Sequence, residues 1–535
     1  MKRWYEREAA LGLALLAAAA ALVWLPPLVP VQDYWNHVAS AYVADRLLSG
    51  DAALSANYWL VWRPVPNLVT ELVLMALVKA FPPDVAGRFV LSLLVLAGAG
   101  AFLMLRAALA KRGQSMHLAW AAPFTLSSFL AFGFFNFALG FSLAVMVISL
   151  SVNGIKTPRR FALALVLSTL TYFCHAAAFG LAGLALVLRA VVERDRRELA
   201  LAAGALLPGA ALLVLFLGVP ETSPIELSLA TIPVAKWWHL PGVKLYGFIG
   251  AATGYSFVAG LARLGLVAAV AVALAKAPVR DAAFRWAMWA ALALYVVIPF
   301  DIGHATFALD WRCLPFALLF LLLSRAPSEL TSRRVNKLAV ALACVTVFEW
   351  ASYAAHWSAR APAVEALVDA VPKGARVLPV VGVHSLGRVN PLLHVPAREL
   401  TRGASYYPYL FAYRYHLVRQ RGYPGRLPHS ALTTTFNQGG GCEDLASPTG
   451  GVGALGAPLV ALDKAIECAA WNARGVAGGA GEFPDLAAIA GAFDGVLVLG
   501  ASPALRARVG ALGDTALANE AGEYVTLGAR RAAGR

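Results

Sequence analysis

Apolar positions in this chain come in long unbroken runs, not in the alternating or one-in-four patterns of water-soluble elements. The first covers Ala9 to Leu25. Others follow at Leu68 to Phe81, Arg88 to Ala110, Leu118 to Val152, Phe161 to Ala190, Leu199 to Val219, Tyr255 to Ala275, Trp286 to Phe300, Leu314 to Leu323 and Leu338 to Ala355. Such runs predict helices buried in lipid, because a span needs roughly 20 apolar residues and satisfies its own backbone only as a helix. Basic residues gather in the short loops between them, at Lys111-Arg112, Lys156 to Arg160, Arg194 to Arg197 and Arg325 to Lys337. That is the positive-inside pattern, and it places those loops in the cytoplasm.

Two runs predict internal breaks. Leu118 to Val152 holds enough apolar sequence for two short spans, divided near Gly133-Phe-Phe-Asn136. Phe161 to Ala190 has basic clusters at both ends, which one crossing cannot satisfy. It therefore reads as two short helices meeting at Cys174-His175, with His175 opposite the cytoplasm, against the alternative of one long tilted helix.

Counting runs gives about twelve and would return the C-terminus to the cytoplasm, whereas the charges flanking the last crossings place it outside. Weighting the charges, the expected fold is an α-helical polytopic membrane protein of about 11–13 spans. Residues 1–355 form the membrane domain, with outer loops at 26–67 and 220–254. From 356 to 535 helix-like and strand-like pieces alternate, which predicts a C-terminal extracytoplasmic α/β domain with strands at Ala375 to Val381, Gly495 to Gly500 and Glu523 to Thr526.

Composition sharpens this picture. Of 535 residues, 59% are hydrophobic and 14% charged, the balance of an integral membrane protein. A net charge of +15 would suit a nucleic-acid partner if it were clustered, but it is spread over loops, so no nucleic acid is expected. The start, Met1-Lys-Arg-Trp-Tyr-Glu-Arg-Glu8 before the first run, with Pro26-Pro27 where a cleavage site would fall, predicts an uncleaved anchor. Five cysteines are too few for a disulfide scaffold. Cys174, Cys313 and Cys344 lie in or beside apolar runs as small hydrophobes, while Cys442 and Cys468 fall in soluble sequence and are expected to pair in an oxidising compartment.

Candidate chemistry begins at Val29-Pro-Val-Gln-Asp-Tyr-Trp-Asn-His-Val-Ala-Ser40, directly after the first run. On a helix the i, i+4 spacing puts Asp33 and His37 on one face beside the membrane. The plainer alternative is that Asp33 caps a short interfacial helix. Asp33-x-x-x-His37 offers two metal ligands and spacing assures no third, so no metal site is assigned and a divalent metal stays compatible. Gly439-Gly-Gly-Cys442 lacks the ending of a phosphate-binding loop, and no Gly-x-Ser-x-Gly elbow is present. Glu71 and Glu349 stand isolated in apolar runs, unlike the carboxylate chain of a proton-coupled pump. What remains is a set of polar residues on one membrane face: Asp33 and His37, His175, the cluster Lys236 to His239, and the hairpin from Asp301 through His304 to Arg312. The stretch from Arg402 to Arg426, dense in Tyr and Arg, reads either as a contact surface for a glycan or lipid phosphate or as packing.

The uncleaved first span followed by Pro30-Val-Gln-Asp33-Tyr-Trp-Asn-His37-Val-Ala-Ser-Ala41 resembles the GT-C superfamily of membrane glycosyltransferases. Breaks at Phe129 to Gly140 and Tyr172 to His175, the Arg-Cys-Leu-Pro315 start of a late span, and a C-terminal extracytoplasmic domain are similar in order. The resemblance covers residues 1 to 355 in layout and is specific in the first loop. The chain departs from the family at Gly133-Phe-Phe-Asn136, where many members carry an acidic pair.

The resemblance implies an inverting transfer of a sugar from a polyprenyl-phosphate donor to a glycan or lipid acceptor. It would take place on the outer face of a bacterial inner membrane, in contact with membrane lipid. Asp33 would be the general base, with His37 and His175 beside it. Arg63, Lys236, Lys244, His304 and Arg312 would be candidates to hold the donor, the cations among them stabilising the leaving phosphate. Trp59, Trp62, Trp237 and Trp238 would stack on sugars or anchor loops in the interface. The alternative from another class is a non-catalytic membrane scaffold that presents a glycan- or partner-binding outer domain.

Overall fold

The computed structural model describes residues 2–114, 116–218, 241–298, 309–381, 389, 391–408, 410, 416–420, 493–499, 514–518 and 524–527. Lys236, His304, Tyr409, Arg414, Cys442 and Cys468 lie outside the described residues. The chain is mostly helical and divides into two compact units. One comprises Met1–Val23, Arg63–Thr70 and Val90–Trp350, and the other Trp24–Trp62, Glu71–Phe89 and Ala351–Arg535.

The helices in chain order are α1 (Lys2–Trp24), α2 (Tyr34–Leu48), α3 (Ala52–Ser55), α4 (Leu68–Val78), α5 (Pro83–Ala110), α6 (Ala121–Thr125), α7 (Ser128–Phe132), α8 (Phe135–Val152), α9 (Pro158–Cys174), α10 (Ala176–Val192) and α11 (Arg196–Gly218). They continue with α12 (Pro241–Ala252), α13 (Phe257–Ala275), α14 (Ala282–Val297), α15 (Cys313–Ser324) and α16 (Glu329–Asp369). Among the described residues five, α5, α8, α11, α13 and α16, are long and apolar enough to cross a membrane, consistent with a helical membrane protein.

In the first unit both expected breaks are present. Gly133 ends α7 at φ 93°, a left-handed conformation that residues with a Cβ rarely adopt, and α8 begins at Phe135. At Cys174 the backbone leaves α9, His175 is extended at φ −164°, and its Nδ1 accepts from the Ala177 N–H at 3.2 Å, capping α10. Side-chain caps by Thr157, Ser256 and Asp281 start α9, α13 and α14. The core is aromatic, with Phe102, Phe124, Phe141 and Phe316 in consecutive ring contacts at 5.1, 5.5 and 4.9 Å. At Gly98 a Cβ would lie 2.3 Å from Thr125 Oγ1, so only glycine admits that approach.

The helix that holds the last apolar run does not end with it at Ala355. Helix α16 continues through the polar sequence after it to Asp369, with Pro362 inside. At 1.5 Å per residue its length is about 60 Å, twice the hydrocarbon thickness. Ala, Arg, Glu and Leu after residue 355 are good helix formers, so propensity carries the helix on where hydropathy stops.

The second unit holds α2, α3 and the strands. β1 (Tyr58–Leu60) pairs antiparallel with β3 (Val418–Gln420) in the register Tyr58↔Gln420. β2 (Val377–Val381), β4 (Gly495–Leu499), β5 (Asp514–Ala518) and β6 (Tyr524–Leu527) form a sheet in the order β2-β4-β6-β5, parallel between β2 and β4 and antiparallel elsewhere. Where the chain leaves α1, the Arg88 guanidinium donates to the carbonyls of Trp24, Pro26 and Pro27 at 3.2, 2.8 and 2.8 Å. Within the Tyr- and Arg-rich stretch, Tyr406 and Tyr407 are 1% exposed, so these two side chains pack inside the unit.

Candidate functional site

Asp33 occupies the N-cap position of α2, yet its side chain caps nothing. The capping alternative is thereby removed, and the carboxylate is directed elsewhere. Its Oδ1 lies 3.5 Å from His394 Nε2 and 3.5 Å from Gln32 Nε2. His394 directly precedes the 3-10 segment Val395–Arg402, which packs against α2. The same imidazole has its Nδ1 at 3.1 Å from Asn36 Nδ2 and 2.9 Å from the Tyr407 hydroxyl. An amide N–H only donates, so Nδ1 is the acceptor and the ring proton sits on Nε2, facing Asp33.

Asp33, Asn36, His394 and Tyr407 are all buried. Burial disfavours charge on either partner. It pushes the Asp33 carboxyl up to about 8 and holds the His394 imidazole down to about 3. Glu399, on the same 3-10 segment, is also lifted by burial, to about 8. Nearby, Arg398 stacks on Trp35 at 5.0 Å and pairs with Glu365 at 2.9 Å. His37, one turn beyond Asp33, is buried as well. The side chain that meets Asp33 is His394, and nothing in the local sequence announced it.

A second carboxylate–imidazole pair lies in the same unit. Glu71 on α4 is not isolated: one oxygen meets His416 Nδ1 and the other accepts from the Leu417 N–H at 3.0 Å. Tyr58 Oη accepts from the Tyr407 N–H at 2.8 Å and donates to its carbonyl at 3.0 Å, beside the β1–β3 pair. These contacts fix the segment that carries Tyr407 and, through it, the His394 ring.

His175, Arg63, Lys244 and Arg312 belong to the first unit. Phe137 brings two of them together: the His175 ring meets its edge at 5.2 Å and the Arg312 guanidinium lies 5.7 Å from its centroid. Arg312 also stacks on Phe134 at 4.9 Å. Arg63 is half-buried. Lys244 does not suit a phosphate-holding role. Its ammonium donates to Asp310 Oδ2, the Tyr295 carbonyl and the Ile298 carbonyl at 2.7, 2.9 and 2.5 Å, which uses all three N–H bonds. Glu349 is not isolated either; it pairs with Arg263 at 2.6 Å and accepts from the Ser256 N–H at 2.7 Å.

Among the described residues no three His, Cys, Asp or Glu side chains converge as a metal-binding group, and Asp33 with His37 does not make one. No protein-family model, curated protein or solved structure matches this chain.

Proposed function

We propose that the chain is a membrane glycosyltransferase of the GT-C type that moves a sugar from a polyprenyl-phosphate donor to a glycan or lipid acceptor outside the cytoplasm. In this reading it has 11–13 crossings, counted as about twelve apolar runs, and an extracytoplasmic α/β domain. The observation that carries the proposal is a buried carboxyl, directly after the first apolar helix, whose proton affinity is raised to about 8 and which faces an oriented imidazole N–H.

In the transfer, the acceptor hydroxyl oxygen bonds to the anomeric carbon as the carbon–oxygen bond to phosphate breaks. The hydroxyl proton passes to Asp33, the bonding pair leaves on the polyprenyl phosphate, and the configuration inverts. A carboxylate of ordinary affinity is a weak base for a sugar hydroxyl. One raised to about 8 is stronger, at the cost of being ionised in only about a tenth of molecules at pH 7. The His394 Nε2–H stabilises the ionised form and fixes its orientation, and Asn36 and Tyr407 hold the ring in that tautomer.

The direct test supplies a panel of polyprenyl-phosphate sugars to membranes containing the chain or its Asp33→Asn variant. Transfer lost in the variant at equal protein level is the expected result. Transfer by the variant at the parental rate sinks the assignment and favours the scaffold. Alkaline phosphatase fused after residue 400 should be active, and a cytoplasmic reporter active there instead would overturn the sidedness.

A further inference from the structure

Within the first unit, α12, α13, α14, α15 and neighbouring helices enclose a cleft of about 300 Å³, twice the roughly 150 Å³ of an apolar cavity that takes one benzene. Its walls are apolar, with Leu264, Val267 and Ala271 on α13 facing Leu318 and Leu321 on α15. Phe248 on its rim is 40% exposed, so the cleft reaches the surface. Helix α13, which lines it, is apolar enough to span, and its Leu261 and Val272, which do not line the cleft, are 44% and 74% exposed.

One charged side chain lines this cleft, Arg263. It is 6% exposed, and among the described residues its Nε and Nη2 have no hydrogen-bond partner, while Nη1 is held by Glu349 at 2.6 Å. Buried donors left unmade are costly, more so on a charged group. The guanidinium charge is already matched by Glu349, so a second anion there would be uncompensated in a low-dielectric wall. The remaining need is for a neutral oxygen acceptor at the end of a hydrocarbon chain.

We infer that the cleft is a binding site for a membrane phospholipid, one acyl chain lying between α13 and α15 with its ester carbonyl accepting from Arg263. A polyprenyl phosphate fits less well, since its hydrocarbon carries no carbonyl and its phosphate would face Glu349. The site is independent of the transfer chemistry proposed above.

The test is photolabelling of the full chain in bilayers with a phospholipid carrying a diazirine in mid-chain, read by peptide mass spectrometry. Labelling should concentrate at Leu264, Val267, Leu318 and Leu321 over the outward-facing Leu261 and Val272. Ala271→Phe, which fills the cleft, should abolish the first and spare the second. In the parent chain, an ester phospholipid should displace the label better than its ether analogue, which has the same chain and no carbonyl. Labelling equal at cleft and outward positions means annular lipid only and overturns the site. Equal competition by ester and ether overturns the role of Arg263, and stronger displacement by a polyprenyl phosphate than by the ester lipid overturns the occupant.

Discussion

The two units treat buried acids differently. In the first, the buried Glu349 and Asp310 each face a permanent cation, at 2.6 and 2.7 Å. In the second, Asp33 and Glu71 face imidazoles. Arginine and lysine keep their charge across ordinary pH, so the first kind of pair is a fastening whose state does not change. The Asp33 carboxyl, lifted by burial to about 8, can lose or gain its proton near neutrality while the His394 imidazole beside it stays uncharged. The comparison separates buried charge that holds helices from buried charge able to do chemistry.

The largest effect should come from breaking a fastening. Glu349→Ala leaves Arg263 buried without its counter-charge and should cost about 3–5 kcal/mol, measured by thermal unfolding in detergent. The double variant with Arg263→Met should recover much of that loss. An unchanged midpoint in the single variant would show that the pair fastens nothing.

A smaller loss is expected in the second unit from Glu71→Ala, which strips the acceptor from the buried Leu417 N–H and from His416. The cost should be about 1–3 kcal/mol, below that of Glu349→Ala in the same assay. The reverse order would erase the distinction between the two kinds of pair.

Similar in size and different in kind is the dependence on pH, where Asp33 alone carries about 2 kcal/mol between 6.5 and 8. Asp33 rises from 3.8 to about 8 on folding, so the folded chain holds an extra proton between those values and its contribution to stability falls as pH climbs through them. His394 drops from 6.5 to about 3, so its contribution grows with pH over that interval. The two offset each other from 3.8 to 6.5, and above 6.5 only the decline due to Asp33 remains, ending near 8. Subtracting the profile of Asp33→Asn isolates this from Glu399, which declines in the same window. A difference profile that is flat from 6.5 to 8 would contradict the raised affinity. The smallest effect belongs to the exposed pair of Arg333 and Glu329, where Arg333→Ala should shift stability by no more than about 0.5 kcal/mol.

Features that rest on local pattern were legible in the sequence. The break at His175 followed from two basic ends that one crossing cannot satisfy, and the break after α7 from Gly133. Strands β2, β4 and β6 were marked by short Val- and Leu-rich or aromatic runs, whereas β5, Asp-Thr-Ala-Leu-Ala, has little strand propensity and was not foreseen. Asp33 stood out by position. Its partner did not, because His394 reaches it through tertiary packing that no window of sequence contains. The same reason hid the partners of Glu71 and Glu349, which look isolated only along the chain.

The central claim is that Asp33 takes the acceptor proton, and the pH dependence of transfer by the full chain in its membrane tests it most directly. With the base ionised only above its raised affinity, the rate at saturating donor should rise with pH through about 8 and level beyond it, with Asp33→Asn inactive at every pH. A rate that is level from pH 6 to 9 in the parent chain, or an Asp33→Asn variant that retains the parental profile, would contradict the account.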